Sequence, residues 1–181
     1  GTFVAPRVER VEQSLSRLTS FTEDMARRGM SSRSEWLDRG LYAPSPDEMM
    51  VLGLAADELV ARVERLRIAD DTPLAIERAS LSASLLPDPA GIGSSLYAAL
   101  EATGCRPVRA VQRISAANLG EDDARLLEVA PGAAGLRIER ISYLASGRVI
   151  EFTRSIYRGD AYDFVAELRL GLPGDDNGGR I

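Results

Sequence analysis

Arg65 and Arg67 stand two residues apart in Val60 to Ile68, the first strand of a predicted hairpin. A strand sends both guanidinium groups to one face. Ala61 and Val63 precede them on that face, and Leu66 and Ile68 supply the other. Two forked cations side by side suit a phosphate or carboxylate. If the hairpin loop that follows has an odd number of residues, Glu77 stands opposite Arg65. The same residues also fit a solvent-facing strand with an exposed ion pair.

A second stripe lies near the end of the chain. In Glu151-Phe152-Thr153-Arg154-Ser155-Ile156-Tyr157, residues Glu151, Thr153, Ser155 and Tyr157 share a face, while Phe152 and Ile156 point the other way. Each member of the stripe can hydrogen-bond a sugar hydroxyl or an amide. Such a face is either solvated or the floor of a polar pocket. Gly91-Ile92-Gly93-Ser94-Ser95-Leu96 runs from a loop into a helix start, where free N–H groups and serine hydroxyls can seat an anion or simply cap the helix. It lacks the third Gly of a dinucleotide fingerprint and the Lys of a P-loop. Ser20-Phe21-Thr22-Glu23 is a second start of this kind, although Glu23 and Asp24 would repel an anion unless they point away.

Hairpins and short helices must position these groups. Thr19-Ser20 opens a helix that Gly29 stops, Ser31 to Ala43 reads as an irregular strand, and Pro44 to Glu48 leads a helix to about Leu52. Val60 to Ser82 is a hairpin turning at Ala69-Asp70-Asp71-Thr72. Pro87 to Gly93 is a loop and Ser94 to Thr103 a helix ended by Gly104. Val108 to Ala117 is a strand and Leu119 to Val129 a helix, with Glu121, Asp122 and Asp123 complementing its dipole. Gly135 to Leu144 and Val149 to Arg158 form a second hairpin about Ser146-Gly147, and Phe164 to Leu170 supplies a last strand. The pattern is α+β: one central antiparallel sheet covered by helices. Trp36, a lone aromatic in a strand, reads as core or dimer packing.

Composition narrows the chemistry. The chain has no histidine and a single cysteine, Cys105. Ser–His and Cys–His nucleophiles are therefore excluded, as is a disulfide within the chain, and no metal site or cofactor is expected. All 22 basic residues are arginine. A net charge of −5 argues against general nucleic-acid binding. No apolar run suits a membrane span and no leader opens the chain, so the expectation is a cytoplasmic protein without membrane contact.

Together GTFVA at the start, LTSFTEDMARRG, VERLRIADDTPLAIERASL, GSSLYAALE, VRAVQRISAANLGEDDARLLEV and VIEFTRSIYRGDAYDF resemble, in order and across almost the whole chain, the HutC branch of the GntR superfamily. The resemblance is to its C-terminal UTRA effector-binding domain, and within it to repressors of amino-sugar use. It implies a chorismate-lyase-like fold, a homodimer, and no catalysis. It implies an effector such as N-acetylglucosamine-6-phosphate or glucosamine-6-phosphate. On the matching positions the phosphate is held by Phe21 (backbone), Thr22, Arg65, Arg67 and Ser95, and the sugar by Glu77, Glu151 and Tyr157. GTFVA resembles the end of a winged-helix wing, so residues 1–18 are expected to be wing and linker, 19–170 the effector domain, and 171–181 a disordered tail. Operator DNA would be met only through the winged helix. A chorismate-lyase-like enzyme, a sensor of a different small anion, and a purely structural dimerisation module are the competing readings. The wing-like start disfavours the enzyme, and the Arg65, Arg67, Glu77, Glu151, Tyr157 set disfavours the inert module.

Overall fold

The fold is that of a computed structural model describing residues 11–14, 19–93 and 95–167. Strands β1 (Val11–Ser14), β2 (Ser32–Tyr42), β3 (Val60–Ala69), β4 (Thr72–Ser82), β5 (Arg109–Asn118), β6 (Ala134–Tyr143), β7 (Val149–Arg158) and β8 (Tyr162–Val165) are joined by helices α1 (Phe21–Arg27, after β1), α2 (Pro46–Leu52, after β2), α3 (Leu96–Ala102, after β4) and α4 (Glu121–Leu126, after β5). The main sheet has six strands in the order β2-β3-β4-β7-β6-β5, each antiparallel to its neighbours. This is the α+β architecture the hairpin pattern predicts.

The ends depart from expectation. Val11–Ser14, inside the stretch read as a linker, is a strand pairing in parallel with Tyr162–Val165. The last strand therefore begins before Phe164 and ends at Val165, not Leu170. Parallel pairing between the two ends of a chain has no local periodic signature, which is why residue spacing gave no hint of it. The expected wing remnant at 1–6 and tail at 171–181 fall outside the described residues.

Local chemistry explains the helix ends. Ser20 and Ser45 each cap a helix reciprocally with a glutamate three residues on, Glu23 and Glu48. The β3–β4 turn puts Asp70 and Asp71 at φ 44° and 65°, the left-handed pair a two-residue hairpin loop needs. That loop is even, so parity alone would set Arg65 beside Ile76. A bulge at the Arg67/Ile68 step leaves Leu74 as the extra residue and moves Glu77 opposite Arg65.

Both sheet faces are covered, unequally. On the inner face α1 lies over Ala75, Ile138 and Tyr157, burying Phe21 and Met25, while α3 lies over Ala61, Val63, Ala79 and Leu81. On the outer face α4 packs Ala124 and Leu127 against Leu66, Ile76 and Ile156. Helix α2 reaches the same face through Glu48, which binds Arg62 and Ser80. Trp36 packs into the α3 cluster and carries the Arg39 guanidinium 4.5 Å from its ring centre.

Candidate functional site

Between α1 and α3, over the middle of the sheet, lies a polar cavity. Its floor is Arg65 of β3, Glu77 of β4, Glu151, Thr153, Ser155 and Tyr157 of β7, and Ile138 and Arg140 of β6. Its walls are Thr19 to Thr22 at the start of α1 and Ser95, Leu96 and Tyr97 at the start of α3. The candidates Phe21, Thr22, Arg65, Glu77, Ser95, Glu151 and Tyr157 thus meet in one place. Arg67 does not line it. It lies beneath α1, 1% exposed, donating to Thr22 Oγ1 at 2.7 Å and Ser34 Oγ at 3.0 Å, with its guanidinium 4.6 Å from the Phe21 ring centre. Ser95 caps α3, accepting from the Ala98 N–H, and Ser94 lies outside the described residues.

Two carboxylates divide the cavity. At one end Arg65 donates from Nε to Glu77 Oε1 at 2.8 Å, and its Nη2 reaches the same oxygen. The Arg65 side chain is 4% exposed, so the solvent-facing ion pair is overturned: α1 and α3 cover the strand that parity alone left bare. At the other end Glu151 accepts from Ser142 Oγ at 2.7 Å, Thr153 Oγ1 at 2.7 Å and Tyr97 OH at 3.1 Å. The stripe on β7 is a pocket floor, not a solvated face.

Arg140 and Tyr97 were not among the residues expected here. Arg140 stands opposite Thr153 in register, two residues from Ser142 on the same face of β6. Its Nε and Nη2 donate to Gln112 Oε1 at 2.9 and 2.6 Å. The alternation Ile138, Arg140, Ser142 carried the signal, had the second hairpin been read by face as the first was. Tyr97 belongs to the buried side of a short helix, where spacing says little.

The electrostatics favour an anion. Burial works against Glu77, but the charges of Arg65 and Arg67 hold its carboxyl below the ordinary value. Burial pulls the Arg67 guanidinium down to about 10. Burial opposes the charge of Arg140 too, yet the surrounding Tyr97, Glu151 and Tyr157 oxygens hold it above its usual value. Burial, then the charge of Glu77, pushes the Tyr157 phenol up to about 12. Burial, then the charge of Glu151, raises the Tyr97 phenol as well. Both phenols thus stay neutral donors at pH 7, and Arg65, Arg67 and Arg140 outnumber Glu77 and Glu151. Asp24, in the acidic first turn, does not line the cavity: it sits on the buried face of α1 and accepts from Thr19 Oγ1 at 2.7 Å.

The cavity is narrow. Its free volume is about 30 Å³, room for water and far below the several hundred Å³ of a usual small-molecule site. A ligand of sugar size must part α1 from α3 or displace Arg65 from Glu77. No cluster of His, Cys, Asp or Glu among the described residues could hold a metal ion, and no helix there is long and apolar enough to cross a membrane. The acidic group Glu121-Asp122-Asp123 serves α4 and ion pairs instead: Asp123 meets Arg78 and Asp122 meets Arg125.

The fold recurs among known proteins. The UTRA domain family matches residues 27–163. The HTH-type transcriptional repressor NagR of Bacillus subtilis is 35% identical over 168 residues, covering 91% of this chain and 68% of that protein. The repressor MngR of Escherichia coli, of the mannosyl-D-glycerate transport/metabolism system, is 28% identical, covering 91% of this chain and 69% of that protein. Among solved structures, the effector domain of PhnF from Mycobacterium smegmatis superimposes with a TM-score of 0.82 at 26% identity, covering 88% of this chain and all of that one. These relatives are named as regulators, not enzymes. The chain belongs to the UTRA family, as the effector-binding domain of a GntR-type transcriptional repressor.

Proposed function

We propose that the cavity takes a phosphorylated amino sugar, of the class of N-acetylglucosamine-6-phosphate or glucosamine-6-phosphate. The observation that carries this is the meeting of a forked cation with carboxylates and a phenol in one cavity. Arg65, with Arg67 behind it and the Thr22 and Ser95 hydroxyls nearby, offers a phosphate forked, charge-assisted donors. Glu77, Glu151 and Tyr157 offer sugar hydroxyls acceptors and a phenol. Likeness to NagR supports the same class. Occupancy selects one arrangement of a homodimer, and the operator is met by a winged helix outside this sequence, a reading that the likeness to HTH-type repressors supports.

A route from cavity to linker supports that coupling. The Tyr157 ring on the floor meets Tyr162 edge-on at 4.5 Å, and Tyr162 lies 5.3 Å from Phe164. Tyr162 and Phe164 belong to β8, which pairs with β1. The ring packing thus links the floor to β8, the partner of β1 in the stretch expected to be linker.

Calorimetric titration with N-acetylglucosamine-6-phosphate, N-acetylglucosamine and inorganic phosphate tests the assignment. The sugar phosphate should bind tightest. Arg65→Ala should cost every phosphorylated ligand alike, about one to two decades for a charge-assisted contact of roughly 1.5–3 kcal/mol. Glu151→Ala should erode discrimination among sugars while phosphate affinity survives. Undiminished sugar-phosphate binding by Arg65→Ala would overturn the phosphate clamp.

A further inference from the structure

Among the described residues, no helix covers β5 and β6 on the outer face of the sheet beyond the contact of the α4 cluster with Ala117. Helices α2 and α4 both stand on that face, but over its other half, against Arg62, Ser80, Leu66, Ile76 and Ile156. This half presents exposed Val111, Arg113 and Ser115 on β5, and exposed Arg137 with half-buried Glu139 and Ile141 on β6. Val111 is 53% exposed, and Met50 at the rim of α2 is 77% exposed. An apolar groove of about 420 Å³ runs between them over Ile141 and Phe152.

The charges there are unspent. Arg33, Arg62, Arg78, Arg106 and Arg125 all find carboxylates within the chain. Among the described residues Arg113, Arg137, Glu139 and Arg154 form no ion pair, although Arg113 stands directly opposite Glu139 in register. Adjacent opposite charges left unpaired beside exposed valine and methionine form a surface that a partner would complete.

From this we infer that the β5–β6 face packs on the same face of a second copy of the chain, about a two-fold axis running along the strands midway between β5 and β6. The inference rests on the dimer in the proposed function and names its surface. The register supplies the reason. Val111 pairs with Ile141, Arg113 with Glu139, and Ser115 with Arg137. An axis so placed lays each residue on the partner's copy of its own cross-strand neighbour. Val111 meets the partner's Ile141, Arg113 meets the partner's Glu139, and Ser115 meets the partner's Arg137, each contact twice. An axis along β6 would instead set Glu139 against the partner's Glu139. Apolar on apolar and cation on anion is self-complementary in one register only.

Charge reversal tests it, since both residues lie away from the cavity and the core. The masses of the parent chain, Arg113→Glu, Glu139→Arg, and an equimolar mixture of the two variants are measured at tens of micromolar by sedimentation velocity. Thermal melts confirm that each variant is folded. The parent should be a dimer. Each variant alone should shift tenfold or more toward monomer, because both its contacts become like-charged. The mixture should regain the dimer mass, because one variant then carries two acids and the other two arginines at these positions, and both contacts between unlike chains join opposite charges. A monomeric parent would overturn the dimer itself. A dimeric parent whose variants are each undiminished would overturn this face and leave the dimer standing. Weakened variants whose mixture stays monomeric would overturn the pairing, and point to another occupant of the face.

Discussion

Arg65 and Glu77 are cross-strand partners in register, and two nitrogens of the arginine converge on one carboxylate oxygen of the glutamate. The end of the cavity proposed to take the phosphate is therefore filled by an internal acid. On that proposal a ligand phosphate competes with Glu77 for the same donors. The pairing also qualifies Arg65→Ala as a probe. Removing the arginine strands a buried carboxylate, which commonly costs about 3–5 kcal/mol of stability. Arg65 is thus both a binding candidate and a buried part of the unliganded fold.

Glu77→Gln should separate competition from support. The amide keeps the shape and a neutral acceptor while releasing Arg65 from its counter-charge. Inorganic phosphate should bind several-fold to about tenfold more tightly, in proportion to the charge-assisted part of the lost bond. The sugar should gain less, having lost a carboxylate acceptor. Calorimetry with phosphate and with N-acetylglucosamine-6-phosphate reads both. Equal or weaker phosphate binding would show that Glu77 does not compete.

Arg140→Met keeps the length and apolar stem of the side chain and removes its charge. With Arg140 gone, Arg65 and Arg67 only balance Glu77 and Glu151, and the cavity loses its excess cation. Affinity for a phosphorylated sugar should fall about tenfold, the scale of one charged hydrogen bond. Affinity for the unphosphorylated sugar should change little. Calorimetry with the two sugars reads the difference, and loss of both together would place Arg140 among the sugar contacts.

How much of this site was legible in the sequence depends on what each residue's position was tied to. Strand parity put Glu151, Thr153, Ser155 and Tyr157 on one face because period two needs only neighbouring residues. It put Arg65 and Arg67 on one face for the same reason, yet could not say that α1 and α3 would cover them, since that depends on tertiary packing. The bulge at Leu74 was invisible: an even loop and an extra residue together mimic an odd loop. The β1–β8 pair joins segments at opposite ends of the chain, where no local pattern operates.

Asp71→Gly should stabilise the fold. Asp71 sits at φ 65° with a side chain 96% exposed, and Arg33 lies 3.9 Å away. Glycine takes that conformation without strain, and an Asp-Gly loop is a preferred two-residue hairpin turn. Asp70 should be kept, because its Oδ1 accepts from the N–H and hydroxyl of Ser31 at 3.0 and 3.1 Å. The gain should be about 0.5–1 kcal/mol in a denaturant melt, with ligand affinity unchanged. A loss of stability would mean that the Arg33 contact outweighs the relief of backbone strain.

Glu48 gives the fold a defined acid limit. Its carboxylate is fully buried on the outer face, taking Nε of Arg62 at 2.9 Å, Nη2 at 2.7 Å and the Ser80 hydroxyl at 2.8 Å. Arg62 above all, with the Ser45 N–H and the serine hydroxyls, outweighs burial and holds the carboxyl down to about 2. A folded value below the unfolded one means that the unfolded chain takes up the proton more readily as pH falls. The contribution is complete above the ordinary value of 4.5 and drains away as pH drops toward about 2. Its size is on the order of 2 kcal/mol, allowing for the partial exposure of Arg62. Glu48→Gln should therefore lower stability by about that amount at pH 7 and by much less at pH 3. Urea melts of both proteins at pH 7, 5, 4 and 3 isolate this group, because every other carboxyl titrates in both. The difference should stay level from pH 7 to 5 and narrow below. A difference that remained constant down to pH 3 would mean that Glu48 acts through packing and neutral hydrogen bonds, not through its charge.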